Sequence, residues 1–278
     1  EIYRVSRCGK GDAITYQQAA AEHGDAAFII NTTPCGMYPD VDACPVDLED
    51  FPRLEGVVDA VYNPLRTDLV LDARRRGIAA AGGLYMLAAQ AAYAGALFRG
   101  CTVSQAEIDL AYRTVRRQME NIVLIGMPTS GKTTVGQLLS RRTGKTFMDT
   151  DAMVEQAVGM TIPAYFAAEG ESAFRQREQE AVTAAAGAGG RVIATGGGVI
   201  LREENLHALR RSGRLVFLDR SLDKLTAAAD RPLSADTDAL RCRYAERYDL
   251  YCAAADLRVD GDGTPEETAA QIEKEWTT

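Results

Sequence analysis

Residues 126 to 134 read GMPTSGKTT, with NIVLIG just before them and VGQLL just after. Gly126, four intervening residues, then Gly131, Lys132 and Thr133 fit the pattern GxxxxGK[ST]. Glycines so placed let backbone N–H groups curl around an anion. The following helix aims its positive N-terminal end at the same place, and the lysine reaches the outer phosphates. Thr133 offers a hydroxyl to a Mg²⁺ bound with them. NIVLIG reads as a strand, and Val135, Leu138 and Leu139 give a helix its buried stripe. The stretch is built to hold a nucleoside triphosphate, with Gly126, Ser130, Gly131, Lys132, Thr133 and Thr134 as candidate binding residues.

A phosphate loop does not by itself separate an ATPase, a GTPase and a small-molecule kinase. Further along, DTD (149 to 151) ends the strand-like run KTFMD, at the edge where ligands of open α/β sheets collect. Strand alternation points Asp149 and Asp151 the same way, so one can serve a magnesium shell and the other an acceptor hydroxyl. Asp151 also reads as the N-cap of a helix AMVEQAV. Arg175 and Glu178 in FRQRE share a helix face, which fits either a binding pair or a solvated ion pair of little energetic value. Three glycines in TGGGV (195 to 199) after the strand RVIAT suggest close backbone approach to a ligand. RPL at 231 to 233 lies in a polar stretch able to cover phosphates, and ERYDLY carries Arg247 and Tyr248.

The elements that must position these residues form two α/β halves. In the first, EIYRVSR, AAFIINT and GVVDAVY read as strands, and YMLAAQAAYAGALF (85 to 98) has helical spacing, the pattern of a parallel sheet with crossover helices. A polar helical stretch, SQAEIDLAYRTVRRQME (104 to 120), leads into the second half, and the boundary is expected near residue 120, giving domains 1–119 and 120–278. There NIVLIG, KTFMD, RVIAT, RLVFLD and DLRVD predict a five-stranded parallel sheet. The last helix is signalled by Thr264 as N-cap, Pro265 at the first helical position and Glu267 closing a capping box.

The 278 residues carry 46% hydrophobic side chains and a net charge of −8, which suits folded domains and argues against a nucleic-acid surface. Aliphatic runs are too short to span a bilayer, and a cytoplasmic location is expected; because residue 1 is not Met, an upstream segment with a targeting signal is left open. Six cysteines without a CxxC pair, and only His23 and His207 beside them, argue against structural zinc. Anionic ligands must then be held by a few placed cations.

The order GxxxxGKT, DTD, FRxxE, GGG, RPL and R..LY resembles shikimate kinase over residues 121 to 276. The resemblance implies transfer of the ATP γ-phosphate to the 3-hydroxyl of shikimate, with Mg²⁺. It matches Asp151 to the aspartate that binds and deprotonates the hydroxyl, and Arg175, Gly197 and Arg247 to shikimate-binding positions. Lys132 and Arg231 match catalytic cations, the latter on a lid over the phosphates. Glu178 matches a residue that orients the arginines, and Asp149, with Thr133, the magnesium side. One departure is Lys224, seven residues before Arg231, where many members carry an arginine packed on adenine.

NTTPCGM (31 to 37), DAVYNPLRT (59 to 67) and GGLYMLAAQAA (82 to 92) resemble the C-terminal, nucleotide-binding part of shikimate dehydrogenase over roughly residues 1 to 118. This implies a partial Rossmann-like domain. The first motif would lie near a nicotinamide and Gln90 would contact shikimate. Ser6 and Arg7 would sit beside the adenosine ribose, where a basic residue favours NADP. The glycine-rich turn that should precede EIYRV is absent, as is the domain bearing the family's catalytic lysine and aspartate. No dehydrogenase activity is therefore expected of these 278 residues, and NADP binding only with the upstream region present. A scaffold that packs on the kinase or mediates self-association is the plain alternative. For the second half the rivals are another small kinase, acting on gluconate or a nucleotide, and a non-catalytic nucleotide-binding interaction protein.

Overall fold

The computed structural model describes residues 1–225 and 237–277, the side chains of 237–239 and 277 excepted. The chain forms two compact units, Glu1–Val115 and Arg116–Thr278. In the first unit, helix α1 (Tyr16–Glu22) precedes strand β1 (Phe28–Asn31), β2 (Gly56–Asp59), α2 (Asp68–Arg75), β3 (Ala79–Ala81) and α3 (Leu84–Arg99). The three strands pair in parallel in the order β1-β2-β3. Val57 from β2 packs with Leu69 and Ala73 of α2 and with Leu48 and Phe51. The alternate residues Phe28, Ile30 and Val58 are exposed. At the C-terminal edge, buried Asp59 accepts from Asn31 Nδ2 at 3.0 Å, Thr67 Oγ1 at 2.5 Å and Val61 N at 3.0 Å, tying together the loops that follow β1 and β2.

Two expectations about this unit change. EIYRVSR is not a strand: it makes one isolated parallel bridge, Val5 to Ile14, and the chain loops round between them through Gly9 and Gly11, both at positive φ. Ser6 lies at the start of that loop and its Oγ accepts from Gly9 N at 3.1 Å, and Arg7 is exposed beside it. The third strand is instead β3, an all-alanine run with no β-branched residue to announce it.

Helix α4 (Gln105–Met119) runs across the division between the units. The second unit continues with β4 (Asn121–Ile125), α5 (Lys132–Thr143), β5 (Thr146–Asp149), α6 (Thr150–Val158) and α7 (Ile162–Ala186), the last kinked at Gly170. Then come β6 (Arg191–Ala194), α8 (Glu203–Ser212), β7 (Gly213–Asp219), α9 (Thr237–Ala254), β8 (Leu257–Asp260) and α10 (Pro265–Thr277). The five expected strands all form, and they pair in parallel in the order β5-β6-β4-β7-β8.

Central strand β4 is buried at every residue. Ile122 and Leu124 face a layer containing Val135, Leu139, Ile272 and Trp276, whereas Val123 and Ile125 face one containing Val182, Leu209 and Tyr251. Burial on both faces is why a parallel strand reads as an unbroken apolar run. Each such side chain stabilises the fold by about 1.5–3 kcal/mol, which rigidly anchors the loop that leaves β4. The capping box of α10 forms as expected: Thr264 N donates to Glu267 at 2.8 Å and Glu267 N to Thr264 Oγ1 at 3.2 Å. Among the described residues no helix is long and apolar enough to cross a membrane.

Candidate active site

The loop between β4 and α5 turns through Gly126 at φ +149°, Thr129 at +67° and Gly131 at +91°. Lys132 is 7% exposed, and its Nζ donates to the carbonyls of Gly126 at 2.9 Å and Met127 at 2.8 Å, folding the ammonium back over the loop. Thr133, one residue on, donates from Oγ1 to Asp149 Oδ2 at 2.7 Å. Asp149 stands at the end of β5, and its Oδ1 accepts from the backbone of Asp151 at 3.0 Å and Ala152 at 3.4 Å. It is thus Asp149, not Asp151, that caps α6. Asp151 falls in the first helical turn, so strand alternation does not relate the two carboxylates.

Thr133 Oγ1 and Asp149 Oδ2 converge as a hydroxyl and a carboxylate, the hard oxygen donors Mg²⁺ takes when phosphates supply the rest of its shell. Among the described residues no group of three or more His, Cys, Asp or Glu is placed to hold a metal by protein ligands alone. The pair therefore fits a phosphate-bound magnesium rather than a protein-caged one.

A cavity of about 320 Å³ opens beside the loop, lined by Thr133, Asp149, Asp151, Arg175, Glu178 and Arg247 among others. Phe166 and Phe174 form an apolar wall. The structure so gathers residues spread over more than 110 positions of sequence. Arg175 and Glu178 are not a solvated pair. They meet at 2.9 Å with side chains 9% and 2% exposed, and Glu171 meets the other edge of the guanidinium at 3.1 Å. Burial works against the arginine's charge, but the two glutamates outweigh it and raise its pKa. The second carboxylate oxygen of Glu178, Oε1, is buried without a hydrogen-bond partner, a polar atom held ready at the cavity.

The three glycines after β6 are a steric necessity. A Cβ on Gly196 would come within 2.6 Å of Asp151 Oδ1 and 3.0 Å of Glu178 Oε1, and one on Gly197 within 2.8 Å of Pro128. A Cβ on Gly198 would overlap the Arg175 guanidinium. Bare backbone lets the two acids, the arginine and the phosphate loop close on one point. Gly197 also offers its carbonyl to Arg247 Nη1 at 3.2 Å and to the buried Tyr251 hydroxyl at 2.5 Å. Burial pushes the Tyr251 hydroxyl far above its usual pKa, so it stays a neutral donor.

Arg231 lies outside the described residues. Ser6, Arg7 and Gln90 belong to the first unit; Gln90 is exposed on α3. Sequence reading missed Arg243, which lines the cavity one turn before Arg247. The spacing RYAER was the available signal, overlooked because an arginine on a polar helix ordinarily reads as a solvated face.

The shikimate kinase family model matches residues 128–277. Shikimate kinase of Symbiobacterium thermophilum is 46% identical over 151 residues, 51% of this chain and 87% of that protein. Among solved structures, shikimate kinase from Acinetobacter baumannii in complex with shikimate is 31% identical with a TM-score of 0.55, covering 59% of this chain and 96% of that one. A chorismate mutase/shikimate 5-dehydrogenase fusion protein from Clostridium acetobutylicum is 32% identical over 41% of this chain and 44% of that one, at a TM-score of 0.38. With the family match extending over more than half of its residues, the chain belongs to the shikimate kinase family.

Proposed function

We propose that the chain moves the γ-phosphoryl group of ATP to the 3-hydroxyl of shikimate. The observation that carries this is one cavity in which Asp151, Arg175 and Arg247 adjoin the phosphate loop. Asp151 orients the acceptor hydroxyl and takes its proton as the bond from oxygen to the γ-phosphorus forms and the bond to the β,γ-bridging oxygen breaks, releasing ADP. Lys132 and Arg231 offset the charge that moves onto the leaving oxygen, and the loop amides hold the phosphates in line. Thr133 and Asp149 would hold Mg²⁺, which supplies further charge neutralisation when bound. Arg175 and Arg247 receive the acceptor's carboxylate side, with Glu178 holding the guanidinium of Arg175 in place.

The experiment is an acceptor screen with ATP and Mg²⁺, reading ADP release. Release is expected with shikimate and at background with gluconate and nucleoside monophosphates. The reverse preference would refute the assignment.

The same proposal gives residues 120–278 to the kinase domain and 1–119 to a partial NADP-binding domain of dehydrogenase type, in a cytoplasmic protein. With the upstream region present, Ser6 and Arg7 would read an NADP ribose phosphate and Gln90 would face shikimate; without it, neither NADP binding nor dehydrogenase activity is expected.

At the nucleotide end, Lys224 Nζ donates to the carbonyl of Asp262 at 2.9 Å. A lysine so tethered presents no flat surface to a base. Lys224→Arg is expected to lower the KM for ATP about threefold relative to GTP, a modest stacking gain. Unchanged nucleotide preference in a steady-state comparison would count against this.

A further inference from the structure

Among the described residues three guanidinium groups line the acceptor cavity, those of Arg175, Arg243 and Arg247, and they come from two helices. Arg175 comes from α7 and is held in position at the cavity, with Nη1 on Glu178 and both Nη2 and Nε on Glu171. Arg243 and Arg247 come from α9, four residues apart, so they share one helix face, and both reach the cavity. Arg247 gives Nη1 to the Gly197 carbonyl, a neutral acceptor.

Apart from Glu178, which is paired with Arg175, the acids of the described lining lie elsewhere on the wall. Asp149, Asp151 and Glu155 belong to the β5–α6 segment; Asp149 is taken up by Thr133 and the α6 cap, and Glu155 accepts from Ile162 N at 3.0 Å. The cavity is therefore polarised, acidic beside the phosphate loop and basic along α9. A small molecule carrying a hydroxyl at one end and a carboxylate at the other suits it in one orientation, with the hydroxyl at Asp151 and the carboxylate at α9.

Resting on the kinase reading above, we propose that Arg243 is a further specificity-determining residue, which with Arg247 grips the carboxylate of the acceptor. The family resemblance does not include this position among its acceptor-binding residues. Two guanidinium forks on one helix face recognise a planar carboxylate by charge-assisted hydrogen bonds and leave a neutral analogue poorly held.

The test uses the purified full chain with Arg243→Met and Arg243→Lys, and two acceptors, shikimate and its methyl ester. Arg243→Met is expected to raise the KM for shikimate about 10- to 100-fold, the loss of one charge-assisted contact, with kcat and the KM for ATP within about threefold. The ester, lacking the charge, should show nearly the same KM in wild type and variant, and Arg243→Lys should fall between. An unchanged KM for shikimate overturns the proposal, as does an equal loss for acid and ester, which would mark a merely structural role. Should Arg243→Met fail to fold by thermal melting, the Arg243→Lys comparison of acid and ester decides in the same way. If wild type phosphorylates no shikimate, the kinase reading has failed separately. Calorimetric binding of shikimate to wild type and variant then decides the role of Arg243.

Discussion

Asp151→Asn is expected to lower kcat by about 10²–10⁴-fold, the usual contribution of a positioned general base, while ADP binding stays within about twofold. The substitution is isosteric; it removes the negative charge and with it the ability to take a proton. Asp151 lines the acceptor cavity, and its Oδ1 approaches Gly196 so closely that no side chain fits there. Its backbone is held by the Asp149 cap, so the asparagine should occupy the same place. The loss corresponds to about 3–5 kcal/mol of transition-state stabilisation. A coupled assay for kcat and calorimetry with ADP separate the two effects. Retention of more than about a tenth of wild-type kcat, below the smallest loss a working base would cause, would remove Asp151 from the proton-transfer step.

The second large effect is steric and acts through a residue without a side chain. Gly198→Ala places a methyl group on the Arg175 guanidinium, with Cζ only 2.7 Å from the new carbon. An exposed arginine would swing away at little cost. This one is pinned between Glu178 and Glu171, and displacing it strands Glu178, whose Oε1 already lacks a partner. Breaking a buried pair from one side costs about 3–5 kcal/mol, so the melting temperature should fall by on the order of 10 °C. Because Arg175 also serves the acceptor in the proposed mechanism, kcat/KM for shikimate should fall by at least about 100-fold. A double variant isolates the cause: with Arg175→Lys already made, the shorter side chain leaves room, and Gly198→Ala should add little. Additive losses in kcat/KM would show that the methyl group acts through something other than the guanidinium.

The fold of the second unit was legible because its signals are local. NIVLI, RVIA and RLVFLD are buried on both faces and so stay apolar without interruption, and glycine with lysine after a strand has few uses besides an anion cradle. The first unit was legible in part. β1 and β2 carry β-branched residues, whereas the alanines of β3 become a strand only through pairing with β2. EIYRV has a strand's composition, yet among the described residues its pairing stops at the Val5–Ile14 bridge.

By itself the sequence determined the phosphate loop, the five parallel strands behind it and the order of the polar residues that follow, since each depends on residues adjacent along the chain. Only the tertiary structure decided that Asp149 rather than Asp151 caps α6, that Arg175 and Glu178 are buried together, and that Arg243 reaches the cavity. The physical reason is that burial and charge pairing depend on which distant segments close over a side chain. Spacing along one helix places two residues on a common face, but what that face meets is set by the packing of the whole unit.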